Sequence, residues 1–102
     1  MKGIIDCLLY DSKTAQWVTR WDDFTPAIAE MDGSIHNRRG PLKPYGRDLY
    51  HTKNGRWFAV RVVRGKEVEI LPMIPEAVII EMQRRGQAEL LQQWMDQYIE
   101  DA

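Results

Sequence analysis

The side chains that could act as a nucleophile or a general base in this chain are few and far apart in sequence. Cys7 is the only cysteine, and His36 and His51 are the only histidines. A carboxylate to orient an imidazole would come from Asp48 or Asp11. These residue types share no local motif, and residue types without geometry do not define a catalytic site. We therefore predict no catalytic residue and expect that the protein is not an enzyme.

Sequence motifs that bind metal ions or nucleotide phosphates are also missing. Neither histidine has another His or Cys at the close spacing that is typical of zinc sites. The pair His36-Asn37 matches part of a His-Asn-His nuclease motif, but no second histidine follows Asn54. The glycine-rich patterns GxGxxG and GxxxxGK[ST] do not occur. We expect no metal site and no small-molecule cofactor.

The distribution of charge along the chain is its most informative feature, because the net charge is only −1. Residues 36–66 carry nine basic side chains and one acidic one, whereas residues 67–102 carry two basic and eight acidic ones. A cationic segment interspersed with aromatic residues is typical of surfaces that bind nucleic acid. Guanidinium groups neutralise phosphates, and aromatic rings stack on exposed bases.

The first functional hypothesis is therefore a small binding or regulatory module that recognises nucleic acid through its basic central hairpin and loop, residues 36–66. The predicted phosphate contacts are Arg38, Arg39, Lys43, Arg47, Lys53, Arg56 and Arg64, and the predicted stacking side chains are Tyr45 and Tyr50. Two alternatives remain open. The aromatic residues of this segment could belong to the core, and the acidic last third could lie beside the basic hairpin and neutralise it.

The second hypothesis, from a different class, is a protein-interaction or inhibitor module. Near the C-terminus, bulky apolar residues recur at helical spacing and form one broad face: Ala88, Leu90, Leu91, Trp94, Met95, Tyr98 and Ile99. Such a face covers a sheet in a monomer, but it can also bind a partner protein or a second copy of the chain. We predict Trp94 and Tyr98 as the interface residues of this alternative.

The elements that must position these residues begin with strands. Residues 3–10 and 16–21 form the first predicted hairpin, joined by the turn-forming residues 11–14, with Trp17, Thr19 and Trp21 on one face. Three further strands, residues 49–52, 56–63 and 67–71, form a predicted antiparallel meander. Asn54-Gly55 is its strongest turn signal, because both residues accept positive φ, and Pro72 is expected to end the sheet.

The remaining segments predict helices and a loop. Thr25-Pro26 begins a predicted short helix within residues 22–31, and the glycines and prolines of residues 32–46 predict a long loop. Pro75 begins a helix that Gly86 stops, and residues 87–100 form a second C-terminal helix. The fold class is therefore α+β: a mainly antiparallel sheet of about five strands, hairpin plus meander, with a short helix after the first hairpin and two C-terminal helices on one face.

Length and composition set the remaining expectations. A chain of 102 residues with 44% hydrophobic and 28% charged residues is typical of a single globular domain, residues 1–102. No apolar run approaches the roughly 20 residues that cross a bilayer, and no secretory signal is recognisable. One cysteine cannot form an internal disulfide, which favours a reducing compartment. We expect a cytoplasmic protein that does not contact membranes.

Overall fold

The protein, described here by a computed structural model over residues 1–22 and 45–100, consists of two compact units, Met1–Pro72 and Met73–Ala102. The first unit contains the strands and the second contains the helices. The helix predicted within residues 22–31 lies outside the described residues except for its first position, Asp22, which ends a strand. The architecture is α+β with antiparallel sheets and two helices, and the single domain stays a prediction.

The first predicted strand is wrong, because residues 3–10 form a complete hairpin. Strand β1 (Lys2–Ile5) pairs with β2 (Leu8–Asp11) in antiparallel register, with Ile5 opposite Leu8. Asp6 and Cys7 make the turn, and both have positive φ, 52° and 64°. Two successive left-handed residues form the type I′ turn that suits the twist of a hairpin. This pair of strands is called the ribbon below.

The pairing expected between residues 3–10 and 16–21 is therefore absent. The turn after β2 does form: Asp11 Oδ1 accepts a hydrogen bond from the Lys13 backbone at 2.9 Å, as in an Asx turn. It leads into β3 (Gln16–Asp22), which pairs with β4 (Gly46–His51) instead of with the ribbon. In the described residues, the expected five-stranded sheet is thus a two-stranded ribbon and a four-stranded sheet.

The meander is confirmed. Strands β4, β5 (Trp57–Val63) and β6 (Lys66–Met73) are consecutive neighbours in the four-stranded sheet, whose order is β3-β4-β5-β6. The first turn lies at Lys53–Gly55, as predicted, and is a three-residue turn in which Gly55 alone, and not Asn54, has positive φ. Pro72 does not end the sheet, because β6 is an edge strand and tolerates a missing donor there.

A β-bulge in β3 separates two tryptophans that were expected on one face. The register shifts between Trp17, which pairs with Tyr50, and Thr19, which pairs with Leu49. An extra residue in one strand resets the alternation of side chains. Trp17 consequently lies on the face of Phe58 and is exposed, whereas Trp21 lies on the opposite face and is buried.

The ribbon packs against one face of the four-stranded sheet and forms a core with it. The buried members of this cluster are Tyr10, Phe58, Val60 and Ile70, surrounded by the half-buried Met1, Ile5, Leu8, Ala15 and Tyr50. The rings of Tyr10 and Phe58 meet edge to face at 5.3 Å, and Tyr50 stacks on Phe58 at 5.2 Å. Aromatic pairs at these distances add to the free energy gained by burial.

The first C-terminal helix begins at the predicted residue, Pro75. Helix α1 (Pro75–Arg84) has proline in its first turn and packs against α2 (Ala88–Met95). Gly86, with φ 67°, stops α1 as expected: its N–H and that of Gln87 donate to the Gln83 and Met82 carbonyls, which is a Schellman motif. The choice of two helices over one is confirmed.

The last helix is shorter than predicted. It ends at Met95 and continues as a 3₁₀ turn, Asp96–Tyr98. Of the predicted apolar face, only Leu91 and Met95 are buried, whereas Tyr98 and Ile99 remain exposed. The tighter winding of a 3₁₀ turn rotates successive side chains by a larger angle than an α-helix does. The end of the apolar stripe therefore diverges from its beginning.

The ribbon turn generates a stability prediction. Cys7 is exposed and holds a left-handed conformation, which costs a side-chain-bearing residue about 1 kcal/mol. We expect Cys7→Gly to raise the free energy of unfolding by up to about that amount, because Asp-Gly suits this turn. Urea unfolding measures the change. Cys7→Ala, which keeps Cβ, serves as the control and should have no such gain; a less stable Cys7→Gly variant would contradict the turn assignment.

The pairing of β3 with β4 generates a second prediction. A Cβ on Gly46 would lie 2.6 Å from the Trp21 carbonyl oxygen and 2.8 Å from Arg20 Nε. We expect Gly46→Ala to lower the free energy of unfolding by about 1 to 3 kcal/mol, because backbone must shift. Gly3→Ala is the control, since its Cβ would meet only the Ile70 Cδ1 atom, at 3.1 Å. If thermal unfolding shows that the two variants lose the same amount of stability, this would argue against the close approach of the strands at Gly46.

Candidate functional site

Three basic residues of the predicted nucleic-acid site lie in turns at two ends of the sheet. Lys53 and Arg56 are exposed at the β4–β5 turn, and Arg64 is exposed at the β5–β6 turn. Strand β5, seven residues long, separates these turns by about 20 Å, at roughly 3.3 Å per residue. The turns therefore do not form one continuous cationic patch by themselves.

Two arginines within the strands contact other side chains. Arg47 lies over the Trp21 ring, with its guanidinium carbon 5.2 Å from the ring centroid, which is a cation–π contact. Arg61, directly across the sheet from Arg47, forms a salt bridge of 3.0 Å with Glu69. Glu69 belongs to the acidic last third of the sequence, so part of the expected internal neutralisation occurs within the sheet.

The two predicted stacking tyrosines differ in their surroundings. Tyr50 stacks on Phe58 within the core, and burial, with the nearby Asp48 and Glu67 carboxylates, raises the pKa of its hydroxyl. This placement favours a packing role, as the first alternative anticipated. Tyr45 is half-buried, and its hydroxyl accepts a hydrogen bond of 3.3 Å from Arg64 Nε. The predicted contacts Arg38, Arg39 and Lys43 lie outside the described residues, so the nucleic-acid site stays a prediction.

An open groove on the sheet face beside the ribbon was not predicted. It is lined by Arg20, Asp22, Asp48, Val62, Arg64, Gly65 and Glu67. Asp48 organises one side: its Oδ1 accepts a hydrogen bond from Trp17 Nε1 at 3.2 Å, and its Oδ2 is 3.6 Å from Arg20 Nη1. Arg20 Nε is also 3.5 Å from Asp22. Carboxylates and guanidiniums alternate here, so the lining of the groove combines both charges.

A second groove lies within the helical unit, where the predicted interface residue Tyr98 is found. It is lined by Ile79, Gln83, Ala88, Leu91, Gln92, Tyr98, Ile99 and Glu100. Tyr98 is 52% exposed and Ile99 is 42% exposed. Trp94, the other predicted interface residue, is half-buried and does not line this groove. The groove thus combines apolar residues from both helices and the 3₁₀ turn, although only Tyr98 of the predicted pair contributes to it.

The structure separates Cys7 from His51, two of the residues considered as nucleophile and base, and His36 lies outside the described residues. Cys7 is exposed at the tip of the ribbon. His51 lies on the other face of the sheet, where its ring meets that of its cross-strand partner Trp57 at 4.5 Å. They do not form a nucleophile–base pair. Among residues 1–22 and 45–100, no group of three or more His, Cys, Asp or Glu side chains could hold a metal ion.

Comparisons with known proteins give no family for this chain. No family model matches it, and no similar protein was found among the curated proteins or the solved structures. In the part of the chain that the structure describes, no helix is long and apolar enough to cross a membrane. Any assignment of function therefore rests on the surfaces described above.

His51 generates a prediction of pH dependence. Partial burial lowers the pKa of its imidazole below the usual value of about 6.5, so the unfolded chain takes up this proton first. Its contribution to stability is complete above about pH 6.5 and is lost as the pH falls towards the lower folded-state pKa. We expect His51→Gln to reduce the dependence of the free energy of unfolding on pH in this window. His36→Gln is the matched histidine control; flattening by His36→Gln alone would contradict the prediction.

Proposed function

We propose that this protein is a small binding module that recognises another protein through the groove of its helical unit. The observation that carries the proposal is the pair Tyr98 and Ile99, large apolar side chains that remain about half exposed beside the buried Leu91. Isolated exposed apolar residues are common on protein surfaces. Here, however, they adjoin one another in a concave surface, which is the usual setting of an interface anchor.

The lining of the groove supports protein binding by its composition. Its lining combines apolar residues, Ile79, Leu91 and Ile99, with polar ones, Gln83, Gln92 and Glu100. Protein interfaces combine apolar and polar groups in this way, and charged residues are few at their centres. Tyr98 adds an aromatic side chain that offers both an apolar ring and a hydrogen-bonding hydroxyl.

The charge of the segment that carries Tyr98 and Ile99 indicates the kind of partner. Residues 87–100 contain three acidic side chains, Glu89, Asp96 and Glu100, and no lysine or arginine. An amphipathic helix with apolar residues on one face and lysines or arginines beside them would complement both features. We therefore propose a cationic amphipathic segment of another protein as the ligand of this groove.

Nucleic-acid recognition through residues 36–66 is the rival function. The separation of the two basic turns and the salt bridge between Arg61 and Glu69 do not favour it. Binding of an oligonucleotide would depend steeply on salt, whereas binding centred on apolar contacts would depend on it less. The two functions can therefore be distinguished in one experiment.

The test uses fluorescence anisotropy with a labelled amphipathic peptide of leucine and lysine, the same peptide with glutamate in place of lysine, and a labelled oligothymidylate. We expect the cationic peptide to bind and the other two not to bind. The double variant Tyr98→Ser/Ile99→Ser should weaken peptide binding at least tenfold, because it removes the exposed anchors without changing charge. Circular dichroism confirms that the variant is folded.

Ile80→Ser is the matched control, since Ile80 is 54% exposed on α1 but does not line the groove. It should bind the cationic peptide as the parent protein does. An equal loss in the control and the double variant would show non-specific attraction and contradict the proposal. Salt-sensitive binding of the oligonucleotide without binding of the peptide would favour the rival function instead.

A further inference from the structure

The outer face of the ribbon carries an apolar pair that is exposed among the residues the structure describes. Ile4 on β1 and Leu9 on β2 are direct cross-strand partners, 73% and 59% exposed. The alternate positions of the same strands, including Ile5 and Tyr10, pack into the core. Side chains alternate along a strand, so the orientation that buries the inner set must expose the outer one.

The register of the ribbon also fixes the charges on this face. Lys2 lies directly opposite Asp11, two residues from the apolar pair on each strand. The outer face therefore carries, at one level along the strands, a basic residue on β1 and an acidic residue on β2. At the next level it carries isoleucine on β1 and leucine on β2.

We propose that this face binds a second copy of the chain, with the two ribbons packed face to face around a two-fold axis parallel to the strands. Such an axis keeps each residue at its level and places β1 of one protomer over β2 of its partner. Ile4 then meets the partner's Leu9, and Lys2 meets the partner's Asp11. The same contacts recur on the other side of the axis, so the surface is self-complementary, as an isologous interface requires.

The size of the surface sets the strength of the association. A stable interface buries about 800 Å² on each partner, whereas the ribbon has four residues in each of its two strands. The ribbon contact is therefore that of a weak and reversible dimer. Opposite charges at the Lys2 and Asp11 level favour this arrangement over one that brings like charges together.

Sedimentation equilibrium at protein concentrations up to the millimolar range tests the association. We expect Ile4→Thr/Leu9→Thr to weaken dimerisation at least tenfold while circular dichroism shows an unchanged fold, because both side chains are exposed. Lys2→Glu should also weaken it, because a carboxylate then faces the partner's Asp11 at this level. Ile80→Thr, on α1, is the control and should dimerise like the parent chain.

The single cysteine reports the direction of the axis. In the proposed dimer both ribbon tips lie at the same end, and stacked sheets are roughly 10 Å apart. The distance between nitroxide labels on the two Cys7 residues should therefore exceed this spacing only by the length of the label linkers. Electron spin resonance measures this distance. A monomer at all concentrations, dimerisation lost with Tyr98→Ser/Ile99→Ser but kept in Ile4→Thr/Leu9→Thr, or tips far apart would each overturn the proposal. The first and third outcomes leave peptide binding by the helical groove unaffected, whereas the second would show that a second copy of the chain occupies that groove.

Discussion

The strand unit, Met1–Pro72, depends on the contact between the rings of Tyr10 and Phe58, which joins the ribbon to the four-stranded sheet. A four-stranded sheet with Phe58, Val60 and Ile70 on one face needs a second layer to bury them. The ribbon supplies that layer from the first eleven residues. Its position follows from the edge-to-face contact of 5.3 Å between the two rings and from the stacking of Tyr50 on the other side of Phe58.

This constraint determines two of the exposed surfaces of the strand unit. Because the inner face of the ribbon is committed to the core, Ile4 and Leu9 must point outwards. Because the ribbon covers only part of the sheet, the region around Trp17 and Asp48 stays open as a polar groove. Both surfaces follow from the packing of the ribbon on the four-stranded sheet, although one is apolar and the other is charged.

The helical unit obtains its exposed groove in a different way. The Schellman motif at Gly86 turns the chain between α1 and α2, so that the two helices pack together and Leu91 is buried. The change from α-helix to 3₁₀ turn after Met95 then directs Tyr98 and Ile99 out of the buried stripe. An amphipathic pattern that would bury its whole face as one regular helix is therefore divided into a buried part and an exposed part.

The sequence by itself determined the elements whose signals are local: the meander with its turns, the start of α1 at Pro75 and its stop at Gly86. These depend on φ preferences and missing donors, which act within a few residues. Only the tertiary structure decided that residues 3–10 form a hairpin, that a bulge separates Trp17 from Trp21, and that Asp48 contacts Trp17 across 31 positions. Strand pairing depends on partners that are distant in the chain. A shift of the register by one residue moves every side chain of a strand to the opposite face of the sheet.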